Sequence, residues 1–227
     1  MQWTATFHSS SGEATAALCR SRFRGSNSGH LRPLCHKGRS TVFLFPKFQY
    51  GSAGGLYPVQ VYFHLKPGAV EDLPGGLYYY NRKEHQLLLL EEHPRMEAAI
   101  HAPGNREVFE ASAFQIFLIG CMDAIVPMYG QKDGLGYSLM EAGIISQLLE
   151  DKGPEHGIGL IQMGTLGFDH IRPLFRLRSN DIYLHCLLGG GITPEQMTLS
   201  GQVEEMNLYS SNKKTLPRRA NRTLARP

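Results

Sequence analysis

Long apolar runs are missing from this 227-residue chain. Nowhere do about 18 apolar residues follow one another, the length a membrane-crossing helix needs, so no membrane partner is expected. The N-terminus lacks the apolar core of a secretory signal, and the expected location is cytoplasmic. Cysteine is scarce: Cys19, Cys35, Cys121 and Cys186 are the whole set, scattered at long spacings. Cys121 and Cys186 lie inside apolar runs, where a thiol behaves as a small buried hydrophobe. Cys19, His30, Cys35 and His36 match no standard ligand spacing, so no metal is expected. His101, His156, His170 and His185 are isolated from one another, form no triad, and are assigned no role.

An even spread of charge is absent as well. Residues 1–50 carry seven Lys/Arg and one acid, Glu13, and residues 204–227 carry six Lys/Arg and two acids. The stretch between them has ten Lys/Arg and seventeen acids, a net −7 inside a chain whose total is +3. The basic charge therefore sits on the ends and the body is acidic, which argues against a nucleic-acid partner. Hydrophobic content of 42% and charged content of 19% are ordinary for a globular domain. The length suits one domain with tails.

Residues 1–45 are rich in Ser, Gly and Arg and show no apolar period of 2 or 3.6, so they are expected to be a disordered extension. Residues 204–227 read as a basic disordered tail for the same reason. Residues 46–203 are the expected domain. Val59, Val61, Phe63 and Leu65 alternate with Gln60, Tyr62 and His64, the mark of a half-buried strand. Leu77 to Tyr80 and Gln86 to Leu90 read as a hairpin turned at Asn81 to Glu84. Ala113 to Met122 is a continuous apolar run suited to a buried strand. Tyr137 to Glu150 reads as a central helix, apolar nearly all round through Leu139, Met140, Ile144, Ile145, Leu148 and Leu149. Ile158 to Met163 and Ile182 to Leu188 read as further buried strands. Between them Phe168 to Leu177 is helix-like and interrupted by Pro173. Strands, a core helix and mixed elements make an α+β sheet-and-helix domain.

One segment carries chemistry. Tyr50-Gly51-Ser52-Ala53-Gly54-Gly55-Leu56-Tyr57-Pro58-Val59 puts a glycine-rich turn directly before a strand, where backbone can approach a flat or phosphorylated ligand. On chemistry alone a tight loop leading into a strand explains it equally well. It is no Walker loop, lacking the GK[ST] ending, and no Rossmann fingerprint, since a strand follows it.

The run from Ser52 to Tyr62, continued by Tyr78-Tyr79-Tyr80, closely resembles SagB-type oxidases and the oxidase domains of nonribosomal peptide synthetases. Both belong to the FMN-dependent nitroreductase superfamily. Three further segments agree in order: Ala124 to Gly130, Ser138 to Gly143, and Gly157 to Gly164. Leu187-Leu188-Gly189-Gly190 also fits. The resemblance covers roughly Tyr50 to Gly190. It implies a nitroreductase-like central sheet flanked by helices, a homodimer, and FMN at the subunit interface. It also implies that Ser52, Ala53, Gly54, Gly55, Gly159, Leu160, Gln162, Gly189 and Gly190 line the cofactor. The implied reaction oxidises thiazoline or oxazoline rings to thiazoles or oxazoles in peptide natural-product biosynthesis, on a peptidyl or carrier-bound substrate.

In related azoline oxidases a Lys-Tyr pair precedes the helix. Tyr129 falls on the tyrosine, while Met128 stands where the lysine would be, so Tyr129 is the candidate acid/base and Lys132 a candidate helper. Tyr129 as a packing tyrosine is the bland alternative. Glu141 reads as a buried carboxylate satisfied by backbone or Arg rather than as a catalytic one. Tyr78 to Tyr80 read as strand packing. The family's N-terminal arginine motif, which holds the FMN phosphate, has only an echo in Arg20-Ser21-Arg22-Phe23-Arg24. The N-terminal part is thus expected to be missing or replaced. That keeps two other readings open: a flavin-free derivative serving as an interaction module, and an NAD(P)H-dependent nitroreductase.

Overall fold

The computed structural model describes residues 48–71, 73–193 and 196. The expectations for residues 1–45 and 204–227, and those for Cys19 and Cys35, lie outside the described residues. A compact unit reaches to Ile192, with a second unit assigned from Thr193 onward.

Six strands form one antiparallel sheet: β1 (Val59–Leu65), β2 (Gly76–Asn81), β3 (Gln86–Glu92), β4 (Phe114–Cys121), β5 (Ile158–Met163) and β6 (Asp181–Gly191). Their spatial order is β3-β2-β1-β4-β6-β5. A short helix, α1 (Arg106–Ala111), leads into β4, and a long one, α2 (Met122–Lys152), leaves it. The α+β fold is the one expected, and the hairpin, the β4 run and the later strands fall where the apolar pattern puts them.

Period-2 side chains divide the core into two layers. Val59, Val61, Phe63, Leu65, Ile116, Leu118 and Leu187 face α2 and pack on its Ala142, Ile145 and Leu149. Tyr62, Leu77, Phe117, Ile119, Cys186 and Leu188 point the other way, onto Phe109 and the 3-10 turns that hold Phe168 and Phe175. Each such side chain, fully buried, contributes about 1.5–3 kcal/mol. A register shift between Leu118 and Ile119 lets β6 keep both Leu184 and Leu187 on the α2 side.

Three expectations change. β1 is buried on both faces rather than one, because the 3-10 turns after β5 cover its second face. Tyr62 packs on Phe175 with ring centroids 5.5 Å apart, and His64 bonds the cross-strand Gln115 through Nδ1 at 2.9 Å. The helix begins at Met122 instead of Tyr137, and it is buried along one stripe, not all round. Leu139, Met140 and Ile144 are exposed in the single chain. Phe168 to Leu177 becomes two 3-10 turns, Phe168–His170 and Arg172–Phe175, since Pro173 cannot donate the bond a helix needs there. Both described cysteines, Cys121 and Cys186, are buried and free. Among the described residues no helix is long and apolar enough to cross a membrane, and no three His, Cys, Asp or Glu side chains gather as metal ligands.

Candidate functional site

The glycine-rich segment folds as a single 3-10 turn, Ala53–Gly55, after an extended Ser52. Gly54 and Gly55 take φ of 59° and 68°, the left-handed region that an L side chain rarely occupies. The Gly55 and Leu56 N–H groups close the turn onto Ser52 and Ala53 carbonyls at 3.1 Å each. Gly54 faces the first segment of α2: a Cβ there would lie 2.9 Å from Tyr129 Oη and 3.1 Å from Met128 Sδ. Backbone thus approaches the tyrosine hydroxyl as closely as only glycine permits.

Tyr129 is half-buried, and its ring meets Tyr137 edge-on with centroids 4.9 Å apart. Directly after it, Gly130 leaves helical geometry (φ 73°, ψ 173°) and divides α2 in two. The break ends the first helical segment at Tyr129, so the hydroxyl is carried against the turn rather than along a continuous helix. Lys132, the candidate helper, is exposed beyond the break.

A buried polar cluster underlies the turn. Glu141, on the second segment of α2, is 2% exposed and accepts from the Val59 N–H at 3.3 Å through Oε1. Burial raises its pKa, while the Ser52 hydroxyl, the Val59 N–H and the Arg82 guanidinium pull it back down. The expected satisfaction is met in half: Oε1 is paired with backbone, while the buried Oε2 has no hydrogen-bond partner and Arg82 acts on the carboxylate through its charge alone. Ser52 Oγ accepts from the Tyr57 N–H at 2.8 Å. Arg82, in the β2–β3 turn, donates to the Val59 carbonyl at 3.0 Å, to the Tyr57 carbonyl, and to Tyr50 Oη at 3.3 Å. Burial pushes the Tyr50 phenol up to about 12, against the pull of Arg82.

The predicted residues fall into two groups. Ser52, Ala53, Gly54, Gly55 and Tyr129 meet at the turn. Gly159, Leu160, Gln162, Gly189 and Gly190 lie on the β5–β6 pair, with Gly159 opposite Gly190 and Leu160 opposite Gly189. Gln162 donates to Glu150 Oε2 at 2.7 Å and bonds His185 Nε2 at 3.0 Å. Glu150, the partner of Gln162, is nine residues along α2 from Glu141, about 13 Å of helix. Tyr78 and Tyr80 hold strand-end contacts, with Pro74 O at 2.6 Å and His85 Nδ1 at 3.0 Å.

An FMN needs backbone that can approach a flat ring. The turn offers left-handed, exposed backbone at Gly54, while the space a side chain would take there is filled by Tyr129, Met128 and Leu56 of this chain. On the strand pair, the missing side chains make room for this chain's own: a Cβ on Gly189 would lie 2.4 Å from Phe114 Cζ, and one on Gly159 would lie 2.6 Å from Ile192 Cγ2. Arg82 and the left-handed Tyr57 were not singled out from the sequence. Tyr57 offers no signal for a positive φ, since proline favours extended backbone at the residue before it. Arg82 offers none, because a turn arginine reads as solvated.

Fold and site define an α+β chain in which a glycine-rich turn lies against a long helix that carries a tyrosine and a buried carboxylate. No family model matches the chain. It is 34% identical over 142 residues to indigoidine synthase of Dickeya dadantii (strain 3937), covering 62% of this chain and 8% of that one. Indigoidine synthase of Streptomyces lavendulae is 33% identical over 100 residues, covering 38% and 8%. The chain therefore spans about 8% of the length of these curated relatives. A solved E. coli microcin synthetase McbBCD complex, with truncated pro-MccB17 bound, shares the fold: TM-score 0.51 and 16% identity, over 65% of this chain and 56% of that one. A nitroreductase family protein from Streptococcus pneumoniae TIGR4 aligns with TM-score 0.45 and 12% identity, over 63% and 73%.

Proposed function

We propose that the chain is an FMN-dependent oxidoreductase of nitroreductase type that oxidises thiazoline or oxazoline rings to their aromatic forms. The observation that carries the reading is the meeting of Gly54 with the Tyr129 hydroxyl, two positions 75 residues apart that the family resemblance marks as site residues. The indigoidine synthase and microcin synthetase names are those of biosynthetic proteins, which supports a biosynthetic oxidoreductase over a general one.

A bound flavin would supply a two-electron acceptor for the ring's hydride. The chain's own share is to bind and to move a proton. Ser52, Ala53, Gly54 and Gly55 would present backbone to the flat ring, and Tyr129 Oη, beside Gly54, would take the second hydrogen of the azoline as a proton once its own proton has passed to solvent. Gly159, Leu160, Gln162, Gly189 and Gly190 would line the cofactor from the β5–β6 pair of a second subunit, in the homodimer the resemblance implies. Met128, Leu139, Met140 and Ile144 are 61%, 49%, 62% and 39% exposed along α2, a surface that a second copy would cover.

The test is the visible spectrum of the purified chain after incubation with FMN and desalting. Retained bands near ~375 and ~450 nm are expected. A colourless protein would sink the reading and leave the flavin-free interaction module. Rapid anaerobic bleaching by NAD(P)H would favour the nitroreductase instead. In the loaded enzyme, Tyr129→Phe is expected to lower azoline turnover by about 100-fold or more with FMN still bound.

A further inference from the structure

Tyr57 is buried in a left-handed backbone conformation, φ 52°, immediately before Pro58. The positive φ disfavours it, because an L residue avoids that region. Such a conformation persists only when the surroundings over-determine it. Here both backbone polar groups of Tyr57 are held. Its N–H donates to Ser52 Oγ at 2.8 Å, and its carbonyl accepts from Arg82. Its ring is fixed as well, edge-on to Phe48 with centroids 4.7 Å apart and to Tyr50 at 5.5 Å.

We propose that Arg82 is the positioning residue of the glycine-rich turn: by bridging the Tyr57 and Val59 carbonyls and Tyr50 Oη, it locks Tyr57 left-handed and so sets the backbone of Ser52 to Gly55. Three features support this. One guanidinium spans three acceptors on both sides of Pro58, which a planar fork can do and a point-charge ammonium cannot. The same group lies over the Phe48 ring at 5.0 Å and the Tyr57 ring at 5.8 Å, so its stem and face are confined too. Its own anchor is rigid: the Asn81 side chain caps the hairpin turn through the Lys83 and Glu84 N–H groups at 3.1 and 3.3 Å. Glu141 adds to the clamp through the Val59 N–H, and its carboxylate lies within reach of the charge of the half-buried Arg82. The hairpin tip and the turn are thereby one mechanical unit, although 25 residues separate Arg82 from Tyr57.

What the clamp does for a cofactor rests on the flavin reading above, so the experiment reads the two separately. Hydrogen exchange by mass spectrometry is followed in the full chain for wild type, Arg82→Ala and Arg82→Lys, alongside FMN titration by quenching of flavin fluorescence. The Gly55, Leu56, Tyr57 and Val59 amides are all hydrogen-bonded and report the turn. Both variants should exchange residues 52–59 at least about tenfold faster while β4 keeps its wild-type protection. FMN Kd should rise by about tenfold in both, lysine failing to rescue because it lacks the fork. Turn exchange within twofold of wild type in Arg82→Lys would overturn the proposal, as would loosening of β4 to the same degree, which would make Arg82 a determinant of the whole fold. If Arg82→Ala does not fold, Arg82→Lys alone decides. A wild type that takes up no FMN overturns the flavin reading, and the exchange data still decide the clamp.

Discussion

His64 and His101 show how a residue's setting outweighs its type. Both are buried, and they bond the two ends of the Gln115 amide, at 2.9 and 3.2 Å. Burial, aided by Lys66, lowers the His64 pKa from 6.5 to about 4, and burial lowers that of His101 as well. Above about pH 6.5 folded and unfolded chains both hold His64 neutral, so stability does not depend on its proton. As pH falls through 6.5 only the unfolded chain protonates, and stability drops until about pH 4, where the folded imidazole follows. The loss from His64 should reach roughly 3 kcal/mol, at about 1.4 kcal/mol per unit of pKa. Urea unfolding at a series of pH values checks this, and His64→Gln should flatten the curve between those limits. Unchanged pH dependence in that variant would mean His64 is not the group responsible. The sequence reading left His101 without a role, because an isolated histidine carries no pattern; its partner is fourteen residues away across a strand.

At the scale of elements, the break in α2 decides the site. A Cβ on Gly130 would meet nothing within 4 Å, so the position is open in space. Its backbone, at φ 73° and ψ 173°, is nonetheless in a region that only glycine occupies readily. Gly130→Ala should therefore cost about 1–3 kcal/mol by thermal or chemical unfolding, purely from the backbone. It should also displace Tyr129, which is read as a loss of azoline turnover exceeding the loss of stability. A variant as stable as wild type would show that the chain tolerates a straight helix there. Apolar periodicity located the second segment of α2 but not the first, since Pro127 and Gly130 read as loop punctuation. The β4 strand lay open to reading because eight successive buried residues leave no other option in so short a run.

At the scale of the whole molecule, the unanswered surface is the outer face of α2. Met140 and Ile144 stand a turn apart and are 62% and 39% exposed. Paired Met140→Glu and Ile144→Glu substitutions should convert the proposed dimer to monomer in light scattering without lowering the unfolding midpoint of the subunit. FMN uptake should fall in step, if the β5–β6 pair of one subunit completes the turn of the other. A wild type that is already monomeric would remove that role from the second copy. The same face explains why an all-round apolar helix is buried along only one stripe in the single chain.

The sequence by itself determined the local things: which runs become strands, that a core helix follows β4, that a glycine-rich turn precedes β1, and that Cys121 and Cys186 are buried. These follow from periodicity, propensity and steric rules acting over a few residues. Only the tertiary structure decided that Gly54 meets Tyr129, that Arg82 reaches back across a hairpin to hold Tyr57, and that the β5 and β6 glycines pair with one another across the two strands. Those are meetings between residues distant along the chain. They depend on sheet order and on one backbone break at Gly130, neither of which leaves a periodic trace in the residues themselves.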